Sequence, residues 1–171
     1  MVPSNFDTPG SQQASPWSAG AILAGVAAIA GIVAAGIAAM DYMQKQPPYD
    51  LSGWWRVTNT IQSAKLSTFQ GLQLEFEIII HQNGLEFVGK GEKVSEGGRE
   101  IQIKDRTKLD IDTGTISGMH AKATFTEFGK IRPTQGTFEW VVEPGARSMS
   151  GRFISFASDS HGTSKAERIM K

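Results

Sequence analysis

The chain has 171 residues, with 17 Lys and Arg against 17 Asp and Glu and no cysteine. That length fits one domain plus a tail or anchor. The balanced charge argues against duplex nucleic acid as the main partner, because that task needs a basic face to displace counterions. The missing thiols exclude a disulfide framework, a zinc ribbon and a cysteine nucleophile.

The chain divides into four stretches. Residues 1–17 are rich in Pro, Ser, Gln and Asn, have no hydrophobic period, and read as a disordered tail without the basic start of a signal peptide. Residues 18–40 are nearly all Ala, Gly, Ile, Leu and Val. That is roughly 20 uncharged positions, enough to cross a bilayer as a helix. A cleaved signal peptide is the rival reading, weakened by the uncharged start. Ala27, Gly31, Ala35 and Ala39 recur every fourth residue and so share one helix face. Small residues in that spacing let a second helix approach, from another copy or from a partner. Basic residues are absent before this stretch, and Lys45 and Arg56 follow it, which leans the rest of the chain toward the cytoplasmic face. Residues 41–49 form a linker stiffened by Pro47-Pro48.

From residue 50 to 171 the pattern is β throughout. A first strand is expected over Gly53–Gln62. In the next, Leu72, Leu74, Phe76, Ile78 and Ile80 alternate with mostly polar neighbours as far as His81, the period of a half-buried strand. Asn83-Gly84 then predicts a two-residue hairpin turn. The return strand, Leu85–Val94, contains Gly89 and Gly91, which read as a bulge or bend. Ile101 and Ile103 mark a fourth strand, and Leu109 and Ile111 a fifth that Asp112-Thr113-Gly114 turns back. A sixth contains Ala121, Ala123 and Phe125. A seventh contains Phe138, Trp140 and Val142, closed by Pro144-Gly145, and an eighth runs from Met149 to about Ser158. The tail from Ser164 reads as a short helix or a continuation of the last strand. About eight strands without intervening helices predict an all-β, antiparallel, up-and-down barrel, since closure removes exposed edges. Such a barrel is expected to be narrow and largely filled by its own side chains.

Leu51-Ser52-Gly53-Trp54-Trp55 opens this domain. The Gly53-x-Trp55 element resembles the start of lipocalins and other calycins, here as a bacterial single-span, membrane-anchored type. The resemblance implies that the Trp plugs one end of the barrel and that an Arg from a late strand lies across it, with Arg152 and Arg168 as candidates. The layout of anchor and small barrel also resembles the membrane-anchored β-barrel effectors of cyclic-nucleotide anti-phage signalling. In those proteins the barrel senses a nucleotide.

No motif for chemistry stands out. His81, His120 and His161 are isolated, no Gly-x-Ser-x-Gly elbow or phosphate-binding glycine loop occurs, and Asp159, Ser160 and His161 are sequence neighbours whose side chains diverge on a strand. No catalytic residue, metal or cofactor is therefore assigned. Trp54, Trp55 and Trp140 are candidates for an aromatic ligand wall, with one of Trp54 and Trp55 facing inward and the other outward. Arg56, Arg106, Arg132 and Arg152 are candidates for meeting an anionic group, since a guanidinium binds carboxylate or phosphate bidentately. Three functions fit: a ligand-binding module at a membrane, a nucleotide-sensing membrane effector, and an accessory subunit of a membrane complex.

Overall fold

A computed structural model describes Pro47 and residues 49–170. The predicted tail, the predicted span with its Ala27, Gly31, Ala35 and Ala39 face, and most of the linker lie outside the described residues. Among the described residues no helix is long and apolar enough to cross a membrane.

Nine strands follow in chain order: β1 (Gly53–Ser63), β2 (Gln73–Asn83), β3 (Glu86–Glu96), β4 (Arg99–Glu100), β5 (Lys108–Ser117), β6 (His120–Phe128), β7 (Pro133–Val142), β8 (Ser148–Ser155) and β9 (Ser160–Ile169). Every pairing is antiparallel, and every long strand lies beside its neighbour in sequence. β9 returns to β1, so the eight long strands close into an up-and-down barrel. The two-residue β4 only extends the end of β3.

The strand count agrees with expectation, but two of its members do not. Ile101 and Ile103 do not form a fourth barrel strand. Ile103 opens a single 3-10 turn and is 79% exposed. The closing strand is instead β9, built from the polar stretch SHGTSKAERI. Its inward positions, Ser160, Gly162, Ser164 and Ala166, are all small and buried. No run of large apolar residues marks it.

Two turns also differ. Asn83 pairs with Glu86, so the β2–β3 loop is Gly84-Leu85, with Gly84 at φ 60° in the first central position. That geometry suits a hairpin whose first central residue is left-handed. Asp112-Thr113-Gly114 is not a turn but a bulge inside β5, where the register with β6 shifts between Ile111 and Thr113. The extra residue resets the alternation, so Leu109 and Ile111 before it and Gly114 and Ile116 after it all face inward. Gly114 is required there, because a Cβ would come within 2.4 Å of the Phe87 ring.

One end of the barrel is closed. Trp55 is fully buried, and its indole N–H donates to the Leu51 carbonyl at 2.8 Å. Arg168 of β9 lies over its ring, 4.9 Å from the centroid, and donates to the carbonyls of Ala146 at 3.0 Å and Ser52 at 2.8 Å. Arg168 is therefore the arginine the lipocalin resemblance called for, and Arg152 is not. The strap before β1 is fastened to the same end: Tyr49 donates to Gly118 O at 2.8 Å, and the Leu51 N–H donates to Gln82 Oε1 at 2.6 Å. Above the plug, Phe125, Phe138 and Trp140 stack with successive centroids 4.4 Å apart, and Trp140 Nε1 donates to Ser164 Oγ at 2.9 Å.

Candidate functional site

The other end is open. Four connections surround it, those between β1 and β2, β3 and β5, β6 and β7, and β8 and β9. Inside lies a cavity of about 490 Å³, walled by Ile61, Leu74, Phe76, Phe125 and Phe153 and overhung by Phe69, Leu72 and Ile131. The barrel is therefore filled only on its plug side. The reason is the residue size at the mouth end of β8 and β9, where Ser155 and Ser160 point inward. Side chains that small do not span the cross-section of an eight-stranded barrel.

The cavity has a polar feature on β1. Asn59 is in phase with Trp55, Val57 and Ile61, so it points inward, and it is 2% exposed. Its Oδ1 is buried with no hydrogen-bond partner among the described residues. Sheet pairing sets it between Leu74 of β2 and Ser164 of β9.

Charge is confined to the mouth. Lys93 reaches inward from the end of β3 with its side chain 13% exposed, and pairs with Glu127 at 2.8 Å and Glu96 at 3.1 Å. Its ammonium sits 5.9 Å from the centroid of the Phe76 ring. Burial lowers the pKa of this amine, but Glu127 and Glu96 more than offset that and hold it above the usual lysine value. Thr107 Oγ1 donates to Glu127 Oε1 at 3.2 Å, which fixes the carboxylate from the next strand's approach. Lys130 and Arg132 stand on the β6–β7 connection at the same opening.

The rim is apolar at its tips. Leu66, Ile103, Ile131 and Phe156, one on each of the four connections, are exposed, Ile131 to 98%. On the same connections Lys65, Arg99, Lys104, Arg106, Lys130 and Arg132 outnumber Glu100, Asp105 and Asp159.

The structure separates the seven side chains singled out for ligand contact. Arg132 alone lines the cavity. Trp55 and Trp140 are buried in the plug-side core beneath it. Trp54 faces outward in a shallow groove with Ile79, Lys90 and Arg106. Arg56 and Arg152 also face outward, in cross-strand ion pairs with Glu77 at 2.7 Å and Glu139 at 2.6 Å. Alternation decides this: Arg56 is out of phase with Trp55, and Arg152 with Phe153. Hydrogen bonding to Arg152 and Lys122 lowers the Glu139 pKa on that outer face.

Asn59, Lys93 and Glu127 were not singled out from the sequence. Asn59 had a readable signal, a polar residue on the inward phase of a strand. Lys93 and Glu127 had the same signal, since Lys93 is in phase with Phe87, Gly89 and Gly91, and Glu127 with Ala121, Ala123 and Phe125; the register shift of the β2–β3 ladder comes only after Lys93.

The histidines lie on the outer faces of β2, β6 and β9, none of which is paired with another of the three. Ser160 points inward and His161 outward. Among the described residues no group of three or more His, Asp or Glu side chains is placed to hold a metal ion. No protein-family model and no curated protein matches the chain.

Proposed function

We propose that this protein is a membrane-anchored, non-enzymatic barrel of the calycin type that binds a small, largely apolar ligand through its open mouth. The observation that carries the reading is the cavity of about 490 Å³, closed below by stacked aromatics and walled mainly by Ile, Leu and Phe. Concave, mostly apolar sites of that size with a few polar groups are the usual form of a small-molecule site. The anchor is the apolar stretch over residues 18–40. Exposed apolar tips beside lysines and arginines around the mouth support work at a lipid surface, where such pairs lie among headgroups.

A nucleotide sensor calls for several arginines converging on one mouth. Here Arg132 stands with Lys130, while Lys93 is committed to Glu127 and Glu96. That arrangement favours the apolar ligand over the nucleotide, and the filled, neutral barrel of an accessory subunit fits less well still.

Among the described residues every buried apolar side chain of the core lies between Leu51 and Ala166, so the barrel carries its own core. Thermal unfolding of residues 47–171 with medium-chain amphiphiles, fatty acids and cyclic dinucleotides tests the reading. A ligand at a hundred times its Kd stabilises the fold by about 2.7 kcal/mol. A rise with amphiphiles alone supports it. A rise only with the nucleotide supports the sensor, and no rise with any class supports the accessory subunit.

A further inference from the structure

The cavity has one buried polar group whose hydrogen bonding is incomplete, and that group says what end of a ligand belongs there. Asn59 Oδ1 has no partner among the described residues, although the side chain is almost wholly enclosed. Buried acceptors in folded proteins nearly always have a donor. Its neighbour across the sheet, Ser164, is already engaged by the Trp140 indole N–H. Ser160, further along β9, donates to the Ala157 carbonyl at 3.1 Å.

We infer that the site selects a ligand with an apolar body whose buried end carries an uncharged hydrogen-bond donor, an alcohol or an amide N–H, directed at Asn59 Oδ1. This rests on the reading of the mouth cavity as a ligand site. A carboxylate or phosphate head is disfavoured at the inner position, because no buried cation lies beside Asn59 to offset the loss of its hydration. The charged groups, Lys93, Glu127, Lys130 and Arg132, all stand at the mouth. An ammonium head fits the acceptor but has only one amide oxygen to replace its hydration, which leaves a buried charge unpaired. A purely hydrocarbon end leaves Oδ1 as it is and gains nothing from it. A neutral donor completes the acceptor at the smallest desolvation cost. The apolar wall of Leu74, Phe76, Phe125 and Phe153 then takes the body.

The test uses the full chain in lipid nanodiscs and a photoreactive probe, a ten-carbon alcohol bearing a diazirine. Labelling is competed with 1-decanol and with decyl methyl ether, which has the same chain and an oxygen but no donor. Competition is corrected for partition into empty nanodiscs. The expected result is an adduct on peptides that line the mouth and at least a tenfold advantage of the alcohol over the ether. In Asn59→Leu the advantage disappears while the ether still competes. Equal competition by alcohol and ether in the unaltered chain overturns the selectivity and leaves the cavity reading standing. The absence of any competable adduct at the mouth overturns both. The alcohol-to-ether ratio of the unaltered chain decides the point even where the variant does not fold.

Discussion

Replacing Asn59 with leucine should make the empty barrel more stable. Asn59 Oδ1 is a buried acceptor without a partner among the described residues, and its side chain is 2% exposed. An unsatisfied buried polar group costs about 1–3 kcal/mol. Leucine is similar in size, removes that cost, and adds apolar contact to Ile61 and Leu74, which line the same cavity. For a barrel of this length each kcal/mol moves the midpoint by roughly 3–5 °C. Asn59→Leu should therefore raise Tm by roughly 3–15 °C, within the range those two figures span. Differential scanning calorimetry of the variant and the parent without ligand measures it directly. The sign is the point. A random core substitution destabilises, typically by about 1 kcal/mol, whereas a residue kept for binding at the expense of stability gives the opposite result when removed. An unchanged or lowered Tm would refute the reasoning, because it would mean that the oxygen is already satisfied in solution, for example by an enclosed water.

Arg168→Met should lower stability by about 1–3 kcal/mol, read by urea unfolding, since it removes the cation over Trp55 and the bonds to the Ala146 and Ser52 carbonyls while leaving most of the aliphatic stem. Gly114→Ala should cost about 1–3 kcal/mol in the same assay, because the new Cβ meets the Phe87 ring at 2.4 Å and the ring has to leave its position. Lys93 has a raised pKa, so its contribution is fully present below the unfolded value of about 10.4 and is lost as pH rises through the higher folded value. A Tm series from pH 8 to 11 should show an alkaline decline that is smaller in Lys93→Met, and equal declines would remove the ion pair from the explanation. Arg152→Ala should leave both Tm and ligand binding unchanged, since its pair with Glu139 is on the outer wall and exposed.

The sequence carried the fold where residues are large and failed where they are small. β2 was legible because Phe76, Ile78 and Ile80 stand on one phase. β9 was not, because its inward residues are Ser, Gly, Ser and Ala. Those residues are small for a reason that lies on other strands. A Cβ at Gly162 would fall 1.9 Å from the Thr60 carbonyl, and Ser164 sits beneath the Trp140 indole nitrogen. Ile101 and Ile103 gave the opposite error: their spacing has the right period, but Ile103 belongs to the exposed rim. The plug was legible from Gly53 and Trp55, although only the closed barrel decides between Arg168 and Arg152, since phase along β8 sends Arg152 outward. The candidate site was mostly illegible, because arginines attract attention in a sequence while the cavity is made by the absence of bulk at Ser155 and Ser160 and by one amide on β1.

In the proposed reading the two ends of the barrel divide structure from binding, and chain connectivity explains why. The strap at residues 49–52, the turns at 84–85, 118–119 and 143–147, and the last residues of β9 all meet at the plug. There Trp55 is sealed by Arg168, which also ties the strap and the 143–147 turn to β9, so a substitution is felt by the whole fold. The mouth is made only by connections between strands. Their tips, Leu66, Ile103, Ile131 and Phe156, pack on little and are exposed, so they can change without disturbing the stacked aromatics below. Asn59 stands between these regions, on a rigid strand but inside the cavity. A binding group held by the scaffold keeps its position when a ligand arrives, which reduces the ordering cost of binding. In the proposed reading the loops surround the way in, and the strand sets which end of the ligand is accepted.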